Sequence, residues 1–164
     1  MTVSTETILD LERRLRNLED VHAITQIVTF VGPAADSGHA QEFAAVWEPD
    51  GAYNVGTRSF QGTDQIHDVI ATGPHLTWME RGCAHLMSPP HIQVNGDRAS
   101  ATNYTTLAVH NSETGMFDAR RVSANRWELR RVDGRWSVAD RSISPLDGSP
   151  AGRDLLTKMF SASI

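Results

Sequence analysis

Residues 119–141 read ARRVSANRWELRRVDGRWSVADR. Asp133-Gly134 marks a two-residue hairpin turn, because both residue types tolerate the positive φ that a type I′ turn demands. Trp127, Leu129 and Val132 run into that turn, and Trp136, Val138 and Ile143 run out of it. Arg126, Glu128, Arg130, Arg135 and Arg141 alternate with them, the pattern of an antiparallel pair with one wet face. On the first arm Ser123, Asn125, Trp127 and Leu129 share a face, since strand side chains repeat every second residue. If that face points inward, Ser123 and Asn125 are either a satisfied polar pair in a core or part of a pocket.

The chain around this hairpin has 164 residues, 40% hydrophobic and 21% charged, which suits one globular domain with a full core. Its formal net charge of −5 argues against nucleic acid or an anionic membrane as partner. No apolar run approaches the roughly 20 residues that span a bilayer. The N-terminal residues lack the basic-then-apolar layout of a secretion signal, so a cytoplasmic location is expected. Cys83 stands alone, which excludes an internal disulfide and a cysteine-based zinc site.

Upstream, Ile8, Leu11, Leu15 and Leu18 recur at helical spacing within residues 5–37. Asn17 or Asp20 interrupts this stretch, with Asp20 as N-cap of a second helix, and Gly32-Pro33 is expected to kink or break it. A short helix over 39–47 leads to a turn at Pro49-Asp50-Gly51. Short strands follow at 52–55 and 57–61, then a helix over 64–72 capped by Thr63. Residues 75–82 carry no clear signal. A strand over 83–94, interrupted by Pro89-Pro90, precedes a hairpin signal at Asn95-Gly96 and a long strand over 98–110. The hairpin comes next, and a terminal helix is expected over 153–160. Helices followed by long antiparallel strands predict an α+β domain in which helices cover one face of a strongly curved sheet and enclose a cavity. Ala99, Ala101, Leu107 and Val109 are expected on an apolar outer sheet face, buried by neighbouring subunits.

Seven histidines are present. His22, His39 and His67 fall on polar helix surfaces, and His75 and His91 lie beside prolines in loops. No HxH or HxxxH pair occurs, so no metal site is expected. His85 and His110 differ, each lying on a predicted strand among apolar or small neighbours. Each fits a core or strand-end histidine as well as a functional one. Asp36, at the end of an apolar helix after Ala34-Ala35, by itself fits a helix C-terminal aspartate.

The helix ending in Ala35-Asp36-Ser37, the Trp47-x-Pro49-Asp50-Gly51 segment, the Phe60-Gln61-Gly62-x-Asp64 lead-in and the Asp133-Gly134-x-Trp136 hairpin together resemble the SnoaL-like, NTF2-like superfamily. Within it, the set Asp36, His85, His110 and Ser123-x-Asn125 is most similar to the scytalone-dehydratase-like group. The resemblance implies one cone-shaped NTF2-like (cystatin-like) domain over 1–164, its core at about 20–145. It also implies cofactor-free chemistry on a hydrophobic cyclic small molecule, and a homotrimer or dimer. It makes His85 the general base, Asp36 its orienting partner, and His110, Ser123 and Asn125 hydrogen-bonding groups. The group's two tyrosines are replaced by Ala35 and Val55, with Tyr53 or Tyr104 as substitutes. Trp127, Leu129, Val55, Phe43, Phe60, Met87 and Phe117 are expected as apolar wall.

These residue types suit elimination, in which imidazole takes a proton from carbon and a carboxylate fixes its tautomer. They equally suit an isomerase or cyclase that returns the proton, and the fold also serves as a non-catalytic binding or assembly module. Epoxide hydrolysis is disfavoured, because no Asp-Arg-Asp set is placed to face one cavity, although Asp140 and Arg141 leave it a small opening.

Overall fold

The computed structural model describes residues 4–161. The chain opens with α1 (Thr5–Asp36), α2 (Ala40–Ala44), β1 (Trp47–Val55) and β2 (Arg58–Gln61). Then come α3 (Gly62–Ala71), α4 (His75–Arg81), β3 (Cys83–Met87), β4 (His91–Asn95) and β5 (Arg98–His110). The hairpin is β6 (Phe117–Val132) and β7 (Arg135–Pro145), and α5 (Pro150–Ser161) follows. The strands form one sheet in the order β2-β1-β7-β6-β5-β3, with β4 also on β5. All pairs are antiparallel except β1 with β7. The fold is therefore α+β, with N-terminal helices on a curled mixed sheet.

The hairpin turn forms as expected, with Asp133 at φ 50° and Gly134 at φ 77°. Ser88-Pro89-Pro90 splits the predicted 83–94 strand in two, because proline cannot donate to a ladder, yet both halves pair with β5. Residues 75–81, without a clear signal in the sequence, are helical. The turn expected at residues 49–51 lies inside β1, whose register against β7 shifts between Trp47 and Ala52.

Helix α1 corrects two expectations. It runs unbroken through Asn17, Asp20 and Pro33. Pro33 lies in its last turn, where the missing donor costs only the bond to the Thr29 carbonyl, and the turn still closes with Ser37 N–H donating to the Pro33 carbonyl at 3.0 Å. Asp20 is no N-cap. Its carboxylate faces the hairpin, where Arg131 donates to it at 2.6 and 2.9 Å and Trp136 Nε1 at 2.9 Å. Gly32 sits where α1 presses on β3: a Cβ there would lie 2.7 Å from the His85 carbonyl oxygen. That close approach sets the end of α1 beside the strand carrying His85.

The inward sheet face and the helices share one core. Phe43, Trp47, Tyr53 and Trp127 form its aromatic centre, with ring centroids 5.0 Å apart for Phe43–Trp47 and 6.5 Å for Trp47–Trp127. Each such buried side chain contributes about 1.5–3 kcal/mol. Ala99, Ala101, Leu107 and Val109 are also buried within the chain. They share the face of cavity-lining Thr105, so they belong to the inner face and give no reason to expect a subunit contact. No described helix is long and apolar enough to cross a membrane.

Candidate active site

Between the helices and the inner sheet face lies a cavity of about 320 Å³. Apolar side chains from several elements make most of its wall, including Val31, Phe43, Val55, Phe60 and Met87. Its volume suits a small ring system.

His85 lines this cavity from β3. Its Nδ1 is 2.6 Å from Asp36 Oδ1, and its backbone N–H donates to Asp36 Oδ2 at 2.6 Å. The Cys83 thiol adds a third, longer contact to Oδ1 at 3.5 Å. Burial alone would raise the Asp36 pKa, but the His85 and Cys83 hydrogen bonds outweigh it and hold the carboxyl below its ordinary value. The carboxylate therefore accepts from Nδ1–H, which leaves the lone pair of His85 on Nε2. Burial, reinforced by the charge of Asp36, pushes the Cys83 thiol up to about 11 and keeps it protonated.

His75 completes the cluster. Read from sequence as a loop histidine, it opens α4 and is buried. Its Nε2 donates to the Ala35 carbonyl at 2.8 Å, and its ring lies 5.4 Å from that of His85. Burial lowers its pKa, the Ala35 contact opposes this, and neighbouring His85 adds to the lowering. Pro74 at the helix start was the signal available for α4, since proline suits that position. Asp36, His75 and Cys83 also bring metal-ligating atoms within 4.8 Å of one another. In the fold the carboxylate is bonded to His85 and His75 Nε2 to Ala35.

The structure divides the other sequence-predicted residues. Ser123, Tyr53 and Val55 line the cavity. Asn125 and Trp127 are buried behind it: Trp127 Nε1 donates to Asn103 Oδ1 at 2.9 Å, and Asn125 Nδ2 donates to Thr105 Oγ1 at 2.8 Å. Leu129 belongs to the core. His110 and Tyr104 lie on the opposite face of β5 from Thr105 and stand outside the cavity wall. His110 packs at 5.3 Å on Phe117, which is 61% exposed and also outside the wall.

Arg141 is the residue most misplaced by sequence reasoning. Simple alternation puts it on the wet face of the hairpin. A register shift sets Leu129 opposite Val138 but Glu128 opposite Asp140, leaving Ala139 as an extra residue. That bulge reverses which face the following residues occupy. Arg141 is buried, with its guanidinium 4.1 Å from the Trp127 ring and 5.2 Å from that of Tyr53. Its Nε and Nη2 donate to Asn125 Oδ1 at 3.2 and 2.9 Å.

Comparison with known proteins agrees with this architecture. Residues 16–142 match the model of the SnoaL-like domain. An NTF2-like protein with a cystatin-like fold from Novosphingobium aromaticivorans is 38% identical, with TM-score 0.89 over 93% of this chain and 99% of that one. Hexachlorocyclohexane dehydrochlorinase LinA-type3 from Novosphingobium barchaimii is 18% identical, with TM-score 0.66 over 83% and 96%. Aln2 from a Streptomyces species is 18% identical, with TM-score 0.69 over 86% and 96%. No curated protein matches the sequence significantly. The extent of the family match and the 38% identical structure establish that the chain belongs to the SnoaL-like family of NTF2-like, cystatin-like folds.

Proposed function

We propose that the protein is a lyase that eliminates water or halide from a hydrophobic cyclic small molecule, with His85 as general base. The observation that carries this reading is the 2.6 Å contact of His85 Nδ1 with Asp36 Oδ1 beside an apolar cavity. A carboxylate behind an imidazole fixes its tautomer and stabilises the imidazolium formed on proton uptake. His85 Nε2 takes a proton from carbon, and that C–H electron pair becomes a C=C bond. Hydroxide or halide leaves the adjacent carbon with its own bonding pair. The imidazolium then passes its proton to the departing hydroxide or to water. Ser123 Oγ and the Tyr53 hydroxyl are the polar groups offered to an oxygen that gains charge in this step.

The structural likeness to a dehydrochlorinase fits this reading at the level of the fold. A screen of hydroxylated and halogenated cyclic compounds for release of water or halide tests it. Turnover lost in His85→Ala, with unfolding unchanged, is the expected result. Turnover equal to wild type in that variant removes the base assignment and leaves isomerisation without this base, or simple binding, as the function.

A further inference from the structure

The cavity wall carries more positive than negative charge. Arg58, Arg121 and Arg141 line the wall. Among the described residues the arginines paired with carboxylates are Arg13, Arg126, Arg130 and Arg131, none of them in this cavity. The one carboxylate on the wall among the described residues is Asp68, whose side chain is 64% exposed and which contacts His67. This imbalance lies inside a chain of net charge −5.

Arg141 is the unusual member. It is 3% exposed, and burying a guanidinium is costly unless something answers its charge. Burial lowers its pKa to about 10, so it remains a cation at neutral pH. Its only hydrogen-bond acceptor among the described residues is the neutral amide of Asn125, which takes Nε and Nη2; Nη1 has none. Two residues before Asn125, on the same strand face, stands Ser123. It is 1% exposed and lines the cavity, and its Oγ has no hydrogen-bond partner. Buried polar atoms are nearly always paired, so an orphan hydroxyl and a guanidinium without an anionic partner on the wall of one cavity point to an acceptor supplied from outside the chain. The rings of Trp127 and Tyr53 hold the guanidinium in place before a ligand arrives.

We infer that Arg141 and Ser123 form a receptor for an anionic oxygen, and that the cavity takes an apolar ring compound bearing a carboxylate or an ionised phenol. This inference rests on the cavity being the substrate site, and it does not depend on what His85 does there. Arg141 is thereby a specificity-determining residue, with Asn125 as its positioning residue.

Calorimetric titration of the purified full chain with 2-naphthoate and with its neutral isostere 2-naphthamide tests the carboxylate arm. A spectral titration of 4-nitrophenol with and without protein tests the phenolate arm. Naphthoate is expected to bind at least about tenfold more tightly than the amide, or bound nitrophenol to ionise at lower pH than free nitrophenol. That preference should vanish in Arg141→Gln and persist in Arg120→Gln, which removes the same charge at an exposed site off the cavity. The wild-type comparison stands even if Arg141→Gln fails to fold. Equal binding of acid and amide together with an unshifted or raised nitrophenol titration overturns the inference, and so does absence of binding by all three probes at millimolar concentration. The same titrations in His85→Ala separate the two readings. An anion preference there, with unimpaired turnover of a screened substrate, leaves the receptor standing and sinks the base. Loss of turnover with no anion preference in wild type does the reverse.

Discussion

His75 donates through Nε2 to the carbonyl of Ala35 at 2.8 Å, and this bond ties α4 to the residue immediately before Asp36. The bond by itself would favour a charged ring, but burial outweighs it and lowers the His75 pKa below 6.5, so the ring is held neutral by the apolar surroundings.

A stability consequence follows. Where the folded pKa of a histidine is depressed, the unfolded chain binds more protons between the two values, so stability rises with pH across that interval. As pH falls through about 6.5 the wild type is expected to lose stability that His75→Gln does not lose. Urea unfolding at pH 7.5, 6.5 and 5.5 measures it. The variant should be weaker than wild type by about 1–2 kcal/mol at pH 7.5 through loss of a well-fitted buried hydrogen bond, and the gap should narrow at pH 5.5. A constant gap contradicts the assignment.

Asp20 joins α1 to the hairpin through Arg131 and Trp136. Asp20→Ala leaves the Trp136 indole N–H without an acceptor and takes two charge-assisted bonds from Arg131, which keeps Asp97 and the Gly96 carbonyl, and it is expected to cost about 2–4 kcal/mol. A helix cap at this position, as sequence reading suggests, would cost about 1 kcal/mol. Thermal unfolding of the single variant distinguishes the two.

At Gly32 the close contact is with backbone, the His85 carbonyl oxygen, which cannot swing aside. Gly32→Ala is therefore expected to push β3 away from α1 and lengthen the His85–Asp36 contact. Stability should fall by about 1–3 kcal/mol, and the His85 Nδ1 proton resonance should move upfield. An unchanged resonance with wild-type stability would show that the contact at Gly32 does not set the dyad.

Much of this was legible in residues. Asp133-Gly134 and its flanking alternation located the hairpin, and the 98–110 strand has the predicted bounds because its small and β-branched residues run without a breaker. His85 and Asp36 were legible as a pair only through family resemblance, since their contact depends on Gly32 letting two elements approach. Arg141 was read onto the wet face. One extra residue at Ala139 reverses the alternation, and its one trace in the sequence is the passage of apolar residues from even positions (Trp136, Val138) to the odd position Ile143. Ala99 and Leu107 were assigned to the wrong face because alternation gives two faces without saying which is inside. His110 followed from chain order in the family, but its place on β5 points it away from the cavity.

The central claim is that His85, held by Asp36, removes a proton from carbon. It is tested most directly by proton NMR in D₂O, following loss of C–H signal from a panel of cyclic ketones and β-hydroxy ketones in the presence of the protein. The account predicts protein-dependent exchange or elimination that falls about 10²–10⁴-fold in both His85→Ala and Asp36→Asn, with unfolding midpoints close to wild type. Exchange at the wild-type rate in His85→Ala would contradict it.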